Sequence, residues 1–236
     1  MTQIPWLEDG QAFPSTHEAL SEPSGLLAAG DQLTVERLLE AYPLGIFPWY
    51  EEGQPILWWS PNPRATLLPG KIHLSRSMKK VLRQHPYTVS TDRAFSEVIE
   101  ACAEARNYTS ETWITQEICE TYTDLHRRGI AHSVEVWDGQ RLVGGLYGIA
   151  LGKVFFGESM FSRESNTSKI ALAHLSSQLH SWGFELIDCQ VENDHLNSLG
   201  AQCIDRYDFN NQLQRLIAPN DTRSQWGQRS NANEQL

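Results

Sequence analysis

The stretch "HSVEVWDGQRLVGGLYGIALGKVFFGESMFS", residues 132–162, constrains the fold of this chain more than any other. It is rich in β-branched and aromatic residues, lacks proline, and is divided by two turn dipeptides, Asp138-Gly139 and Gly152-Lys153. Asp-Gly between alternating runs is a strong hairpin signal, because the favoured two-residue turn needs positive φ at both positions. Three consecutive antiparallel strands are expected. A meander this apolar must be covered, and the flanking sequence supplies the cover. Before it, "YTVST" reads as a short strand, and "AFSEVIEACAEAR" and "TQEICETYTDLHRRG" read as helices. After it, "SKIALAHLSSQLHSWG" reads as a helix ended by Gly183 at the C′ position. Then come a strand in "FELIDCQV", a short helix in "NDHLNSLGA" and a final strand in "CIDRYDF". This order is an α+β pattern.

Residues 1–64 differ in kind. They are rich in Pro, Gly and Trp and hold one clear helical pattern, "TVERLLEAY", with Thr34 placed to cap it and Glu36 in its first turn. The following "PLGIFPWYEEGQPILWWSPNPR" is too punctuated by Pro and Gly for regular structure and must be held by aromatic packing. A small N-terminal domain over residues 1–64 and a second domain over 65–236, with a polar, frayed tail from Pro219, are expected. The opening residues show no basic and apolar leader, and no run approaches the roughly 20 apolar residues that cross a bilayer. Cys102, Cys119, Cys189 and Cys203 lie far apart and form no C-x-x-C pair, so reduced thiols and a cytoplasmic location are expected.

Net charge is −10, which by itself argues against a nucleic-acid partner. Its distribution argues otherwise. From Gly53 to Thr91 there is no acid, while Arg64, Lys71, Arg76, Lys79, Lys80 and Arg83 all fall there. "HLSRSMKKVLRQH" reads as a short helix with Arg76, Lys79, Lys80 and Arg83 along one face. Such a face is either ordinary solvated surface or a phosphate-binding patch.

Candidate chemistry concentrates in "LIDCQVENDH", residues 186–195. On a strand Asp188 and Gln190 point the same way, about 7 Å apart. A carboxylate and an amide aimed together are either a structural pair or the working end of a site. Asn193, Asp194 and His195 read as the cap of the next helix. His195 and His132 lack partners at metal-ligand spacing, so no metal is expected.

Four blocks, "AYPLGIFPWY" with "ILWWSPNPRA", "HLSRSMKK", "GESMFSRESNTSKIAL" and "LIDCQVENDHLNSLGA", together resemble the leucyl/phenylalanyl-tRNA–protein transferase family, from about Phe13 to Tyr207. The element order likewise resembles the acyltransferase fold abbreviated GNAT, so the second domain is expected to be GNAT-like. The glycine-rich loop with which that fold holds acyl-CoA has no counterpart in "GESMFSRESNTSK". The family resemblance implies transfer of Leu or Phe, less well Met, from aminoacyl-tRNA to the N-terminal Arg or Lys of a protein, marking it for N-degron degradation. It implies no cofactor, whether CoA, nucleotide or metal, and no membrane partner; a monomer is expected.

The same resemblance implies roles by residue. Asp188 and Gln190 form the catalytic pair, the carboxylate polarising an amide whose oxygen accepts the amine proton. Glu158, with Asp188, binds the acceptor's cationic end; the plainer alternative for Glu158 is bonding to backbone amides or pairing with Arg163. Leu146, Phe155, Met160, Leu172, Leu175 and Leu179 form the aminoacyl pocket, although such a stripe is by default core. Some family members carry Met at the Leu146 position and Phe at the Leu175 and Leu179 positions. Trp49 and Trp113 stack the terminal adenosine of the tRNA, and Arg76, Lys79, Lys80 and Arg83 hold its phosphates. Trp58, Trp59 and Trp137 read as packing.

Overall fold

The structure, a computed structural model, describes residues 4–76, 78–80, 87–104, 114–218 and 226. The first 64 residues hold a four-stranded sheet, two of whose strands fall in residues 43–64, the stretch expected to lack regular structure. Its strands are β1 (Trp6–Leu7), β2 (Leu26–Gly30), β3 (Phe47–Pro48) and β4 (Leu57–Trp59), in the order β1-β2-β4-β3. Strands of two to five residues are too short to display a period of two, which is why the sequence hides them. Tryptophans lock the sheet. Trp58 is fully buried and its Nε1 donates to the Gly30 carbonyl at 3.0 Å, while Trp59 Nε1 donates to the Trp49 carbonyl at 2.7 Å. Between β2 and β3 runs α1 (Val35–Ala41), capped by Thr34, whose hydroxyl accepts from the Arg37 N–H. Tyr42–Leu44 continue it as a 3-10 turn that ends at Gly45 in the left-handed region, φ 76°.

The remaining chain builds a seven-stranded sheet in the order β11-β5-β10-β9-β8-β7-β6. The elements are β5 (Arg64–Leu67), β6 (Thr88–Thr91), α2 (Phe95–Glu104), α3 (Gln116–Arg127), β7 (Ala131–Asp138), β8 (Arg141–Leu151), β9 (Val154–Ser162), α4 (Thr167–Ser181), β10 (Leu186–Gln190), α5 (Asp194–Ser198), β11 (Gln202–Ile204) and α6 (Arg206–Leu216). Both turn dipeptides make hairpins, so β7 to β9 form an antiparallel meander; β6 pairs antiparallel with β7 across the two intervening helices, and β10 joins parallel to β9. Strand alternation divides the core. Tyr147, Ile149 and Phe156 face one cluster shared with α2, α3, α6 and the N-terminal sheet; Leu146, Ala150 and Phe155 face another shared with α4. The four cysteines are free, and no helix among the described residues is long and apolar enough to cross a membrane.

The segment "CIDRYDF" is not one strand. β11 stops at Ile204, and the Asp205 side chain accepts from the Tyr207 N–H to start α6. Tyr207 and Phe209, two apart, imitate a strand, but the working period is Phe209, Leu213 and Leu216, all buried. In the basic segment, residue 76 and residues 78–80 are helical, with Met78 buried and Arg76, Lys79 and Lys80 exposed. Arg83 and Trp113, like the tail from Pro219 except Trp226, lie outside the described residues.

Candidate active site

β9 and β10 pair only at Leu186 with Val154, Ile187 with Phe155 and Asp188 with Phe156; beyond that point they separate. Each strand carries a bulge there. Against β8, Ser159 and Gly157 face successive residues Tyr147 and Gly148, so Glu158 is extra. Against β5, Asp188 and Gln190 face Thr66 and Ala65, so Cys189 is extra. A bulge bends a strand and re-aims its side chains, which is why bulges gather beside working sites. Gln190 takes a left-handed φ of 62°, uncommon for a residue with a Cβ. The two bulges turn Gln190 and Glu158 toward each other, and Gln190 Nε2 donates to Glu158 Oε1 at 2.8 Å.

Asp188 has a different partner from the one expected. Its carboxylate, fully buried, is gripped by Arg64, Nε to Oδ1 at 2.8 Å and Nη2 to Oδ2 at 2.7 Å. Oδ1 also accepts the Gln190 backbone N–H at 2.9 Å. The bulge at Cys189 breaks the alternation that would have set the Asp188 and Gln190 side chains side by side, so Asp188 meets the main chain of Gln190 and Glu158 meets its side chain. Arg64 is also buried, lies between the rings of Phe47 and Phe209, and donates from Nη1 to the Gly45 carbonyl at 3.1 Å.

Glu158, 7% exposed, accepts from the Tyr42 hydroxyl at 2.7 Å and the Tyr122 hydroxyl at 3.2 Å, and the two phenols also touch one another. Burial pushes its carboxyl up to about 7, the phenol hydrogen bonds oppose that rise, and the Asp188 charge adds to it. Arg163 is not its partner, since that guanidinium pairs with Glu104 at 3.1 Å.

The wedge between the strands is a cavity of about 710 Å³. Leu146, Phe155, Met160, Leu172 and Leu175 line its apolar depth. Leu179 does not: one turn beyond Leu175, it is fully buried in the core cluster under α4, the default fate of an apolar stripe. Gly148 permits this packing, because a Cβ there would stand 2.7 Å from the Phe155 ring and 2.1 Å from the Phe156 carbonyl. Its exposed rim carries Trp49 and residues 191–194, with His195 half-buried beside them. Trp49 is 41% exposed, with Trp59 behind it at 5.5 Å between ring centroids. Asn193 caps α5 by accepting the Leu196 N–H at 2.9 Å. Glu158, Asp188, Glu192 and Asp194 all line the cavity, and no Lys or Arg does so among the described residues.

Two other residues set aside in the sequence differ in their placement. His195 lines the cavity, its basicity lowered by burial and by Lys169. His132 lies apart, bonded through Nδ1 to Asp92 at 2.9 Å and stacked on Trp226. No group of three His, Cys, Asp or Glu side chains arranged as metal ligands occurs among the described residues. Sequence reasoning missed Arg64, Tyr42 and Tyr122. Arg64 was one cation among six in the acid-free segment, and nothing local tied either tyrosine to a residue more than thirty positions away.

Known proteins match most of the chain. Residues 66–214 match the family model for leucyl/phenylalanyl-tRNA protein transferase, and residues 31–62 match that of its N-terminal domain. The leucyl/phenylalanyl-tRNA–protein transferase of Pseudomonas fluorescens (strain SBW25) is 58% identical over 207 residues, covering 87% of this chain and 92% of its own. That of Ectopseudomonas mendocina is 55% identical over 213 residues, covering 90% and 94%. That of Nitrosospira multiformis is 52% identical over 223 residues, covering 94% and 96%.

Proposed function

The chain belongs to the leucyl/phenylalanyl-tRNA–protein transferase family, and from that membership we propose that it moves Leu or Phe, less readily Met, from aminoacyl-tRNA to the N-terminal Arg or Lys of a protein. The acceptor's α-amine attacks the aminoacyl ester carbonyl. A C–N bond forms, the ester C–O bond breaks, and the proton lost by the amine ends on the ribose hydroxyl of the leaving tRNA. The ester is already activated, so the protein's task is to align amine and carbonyl and to guide that proton.

One observation carries the reading: an apolar cavity whose polar end presents a side-chain amide in a fixed orientation. Glu158 takes the Nε2 hydrogen of Gln190, which leaves Oε1 free to accept a hydrogen from the attacking amine. Asp188 completes the pair by holding the Gln190 peptide N–H. An α-amine has a pKa of about 8, so a modest pull keeps enough of it neutral. Leu146, Phe155, Met160, Leu172 and Leu175 take the Leu or Phe side chain. One methylene in such a pocket is worth only about 1–3 kcal/mol, so some leakage to Met is expected. Glu158, Glu192 and Asp194 supply the negative potential that draws a cationic N-terminal residue, while the charge of Asp188, the other acid expected at the acceptor, is balanced by Arg64. A product so extended enters N-degron degradation.

Trp49, at the mouth, stacks the terminal adenosine, and Trp113 is its proposed companion. Stacking contributes about 1–3 kcal/mol per base, so Trp49→Ala should raise the KM for Leu-tRNA roughly 5- to 150-fold with the Tm unchanged. An unmoved KM removes Trp49 from the donor site. Arg76, Lys79, Lys80 and Arg83 hold acceptor-stem phosphates. The paired change Lys79→Glu with Lys80→Glu should weaken tRNA binding and flatten the dependence of log Kd on log salt by about two contacts' worth. Binding that is equally tight and equally salt-sensitive returns the patch to ordinary surface.

We also read the larger sheet as GNAT-like, on the strength of an antiparallel meander followed by a parallel strand that splays from it. The chain then divides into a small domain over 1–64, whose last residue already opens β5 of the larger sheet, and a catalytic domain over 65–236, acting in the cytoplasm as a monomer without a cofactor. The decisive assay is transfer of labelled Leu from Leu-tRNA to a peptide with N-terminal Arg. No transfer, or equal transfer to a peptide with N-terminal Ala, overturns the proposal.

A further inference from the structure

We infer that Arg64 and Asp188 act as a positioning pair for Gln190, and that neither side chain touches substrate. The inference rests on the reading of Gln190 as acceptor of the amine's hydrogen bond, and deepens it. Although Asp188 borders the cavity, its side chain is fully buried and already accepts three hydrogen bonds: at Oδ2 from Arg64 Nη2 at 2.7 Å, and at Oδ1 from Arg64 Nε at 2.8 Å and from the Gln190 N–H at 2.9 Å. Arg64 carries the compensating charge, so the pair presents no net charge to an incoming amine. The pair instead holds a backbone. Gln190 sits at φ 62°, in a region where a residue with a Cβ stays only if its surroundings hold it there. The bond from its N–H to Asp188 anchors that backbone at the bulge, beside the side-chain bond to Glu158, and Arg64 fixes Asp188 in turn.

The third contact of Arg64 gives the pair its reach. Nη1 donates to the Gly45 carbonyl, two residues before the Phe47-Pro48-Trp49 edge of the cavity. One planar guanidinium therefore sets the reactive amide of β10 in register with the rim proposed to seat the tRNA's adenosine. Its planar fork holds two carboxylate oxygens and a carbonyl in fixed directions, whereas an ammonium offers three donors on a single rotatable nitrogen with no bidentate geometry. A displacement of about 1 Å between reacting groups costs on the order of 10²-fold in rate.

A double-mutant cycle on kcat for leucyl transfer tests this. Gln190→Ala should lower kcat by about 10²–10⁴-fold. Arg64→Lys, which keeps the charge but not the fork, should lower kcat on the order of 10²-fold in the natural sequence. In the Gln190→Ala background the same change should cost less than about twofold, because the group it positions is gone. The KM for the acceptor peptide should stay constant throughout. Equal losses in both backgrounds, or a loss that appears in the acceptor KM, overturn the inference while leaving Gln190 in place. An undiminished kcat in Gln190→Ala overturns the reading of Gln190 and this inference together. If Arg64→Lys does not fold, Asp188→Asn takes its place in the cycle and should be equally silent beside Gln190→Ala.

Discussion

Asp188→Ala is expected to destabilise the protein by about 3–5 kcal/mol, the cost of leaving a buried charge without its partner. For a chain of this size, that lowers the Tm by roughly 6–20 °C. Arg64 is 1% exposed, and its three hydrogen bonds go to Asp188, twice, and to Gly45. With the carboxylate removed, the guanidinium keeps its charge, because arginine does not deprotonate in a protein. The Gln190 N–H loses its acceptor as well. Urea unfolding at pH 7 measures the loss. Removing both charges should restore much of it, since an ion pair replaced by apolar groups of similar volume is often close to neutral. Asp188→Ala with Arg64→Met should therefore be more stable than Asp188→Ala alone while its kcat stays lowered on the order of 10²-fold. A single variant that loses less than about 1 kcal/mol, or a double variant no better than the single, shows that the pair is not held as described.

The distance between Arg64 and Asp188 also marks where sequence reading ends. Features written in a local period or a turn were legible: Asp138-Gly139 gave the meander, Gly183 the end of α4, and Thr34 the start of α1. Asp188 and Gln190 stood out because polar side chains on an apolar strand demand a reason. The mutual geometry of those residues was not legible. A bulge is one extra residue in a ladder, and no residue type announces it when Gln190 rather than glycine takes the positive φ. Without the bulges, alternation pairs Asp188 with Gln190; with them, Glu158 from β9 reaches the amide. The same limit explains Tyr42 and Tyr122, which arrive from α1's end and from α3 to meet a strand carboxylate. It explains Leu179 too, since helical spacing selects a face but not where along that face the cavity closes.

Glu158→Gln should change how both activity and stability depend on pH, and this separates the carboxyl's charge from its shape. Burial raises its pKa from the ordinary value near 4.5 to about 7, so the native state holds a proton that the unfolded chain releases near pH 4.5. The sign follows: this carboxyl favours folding below that lower value, and its contribution is lost as pH rises through about 7. From pH 4.5 to 8 the natural protein should lose about 3 kcal/mol relative to Glu158→Gln, whose amide never ionises. Activity runs the opposite way, because an ionised Glu158 is the stronger acceptor for the Gln190 amide hydrogen and fixes Oε1 toward the amine. Below pH 7, kcat/KM for the acceptor peptide should then fall with two protonations, that of Glu158 and that of the acceptor's amine, giving a logarithmic slope near two. Glu158→Gln can turn its own amide oxygen to Gln190 Nε2 and keep the hydrogen bond, so it should retain activity reduced by about 10-fold, in keeping with the lower strength of a neutral bond. Its slope should be one, from the amine alone. An unchanged slope in the variant assigns the whole acid limb to the substrate, and a stability difference that stays flat from pH 4.5 to 8 denies the raised carboxyl itself.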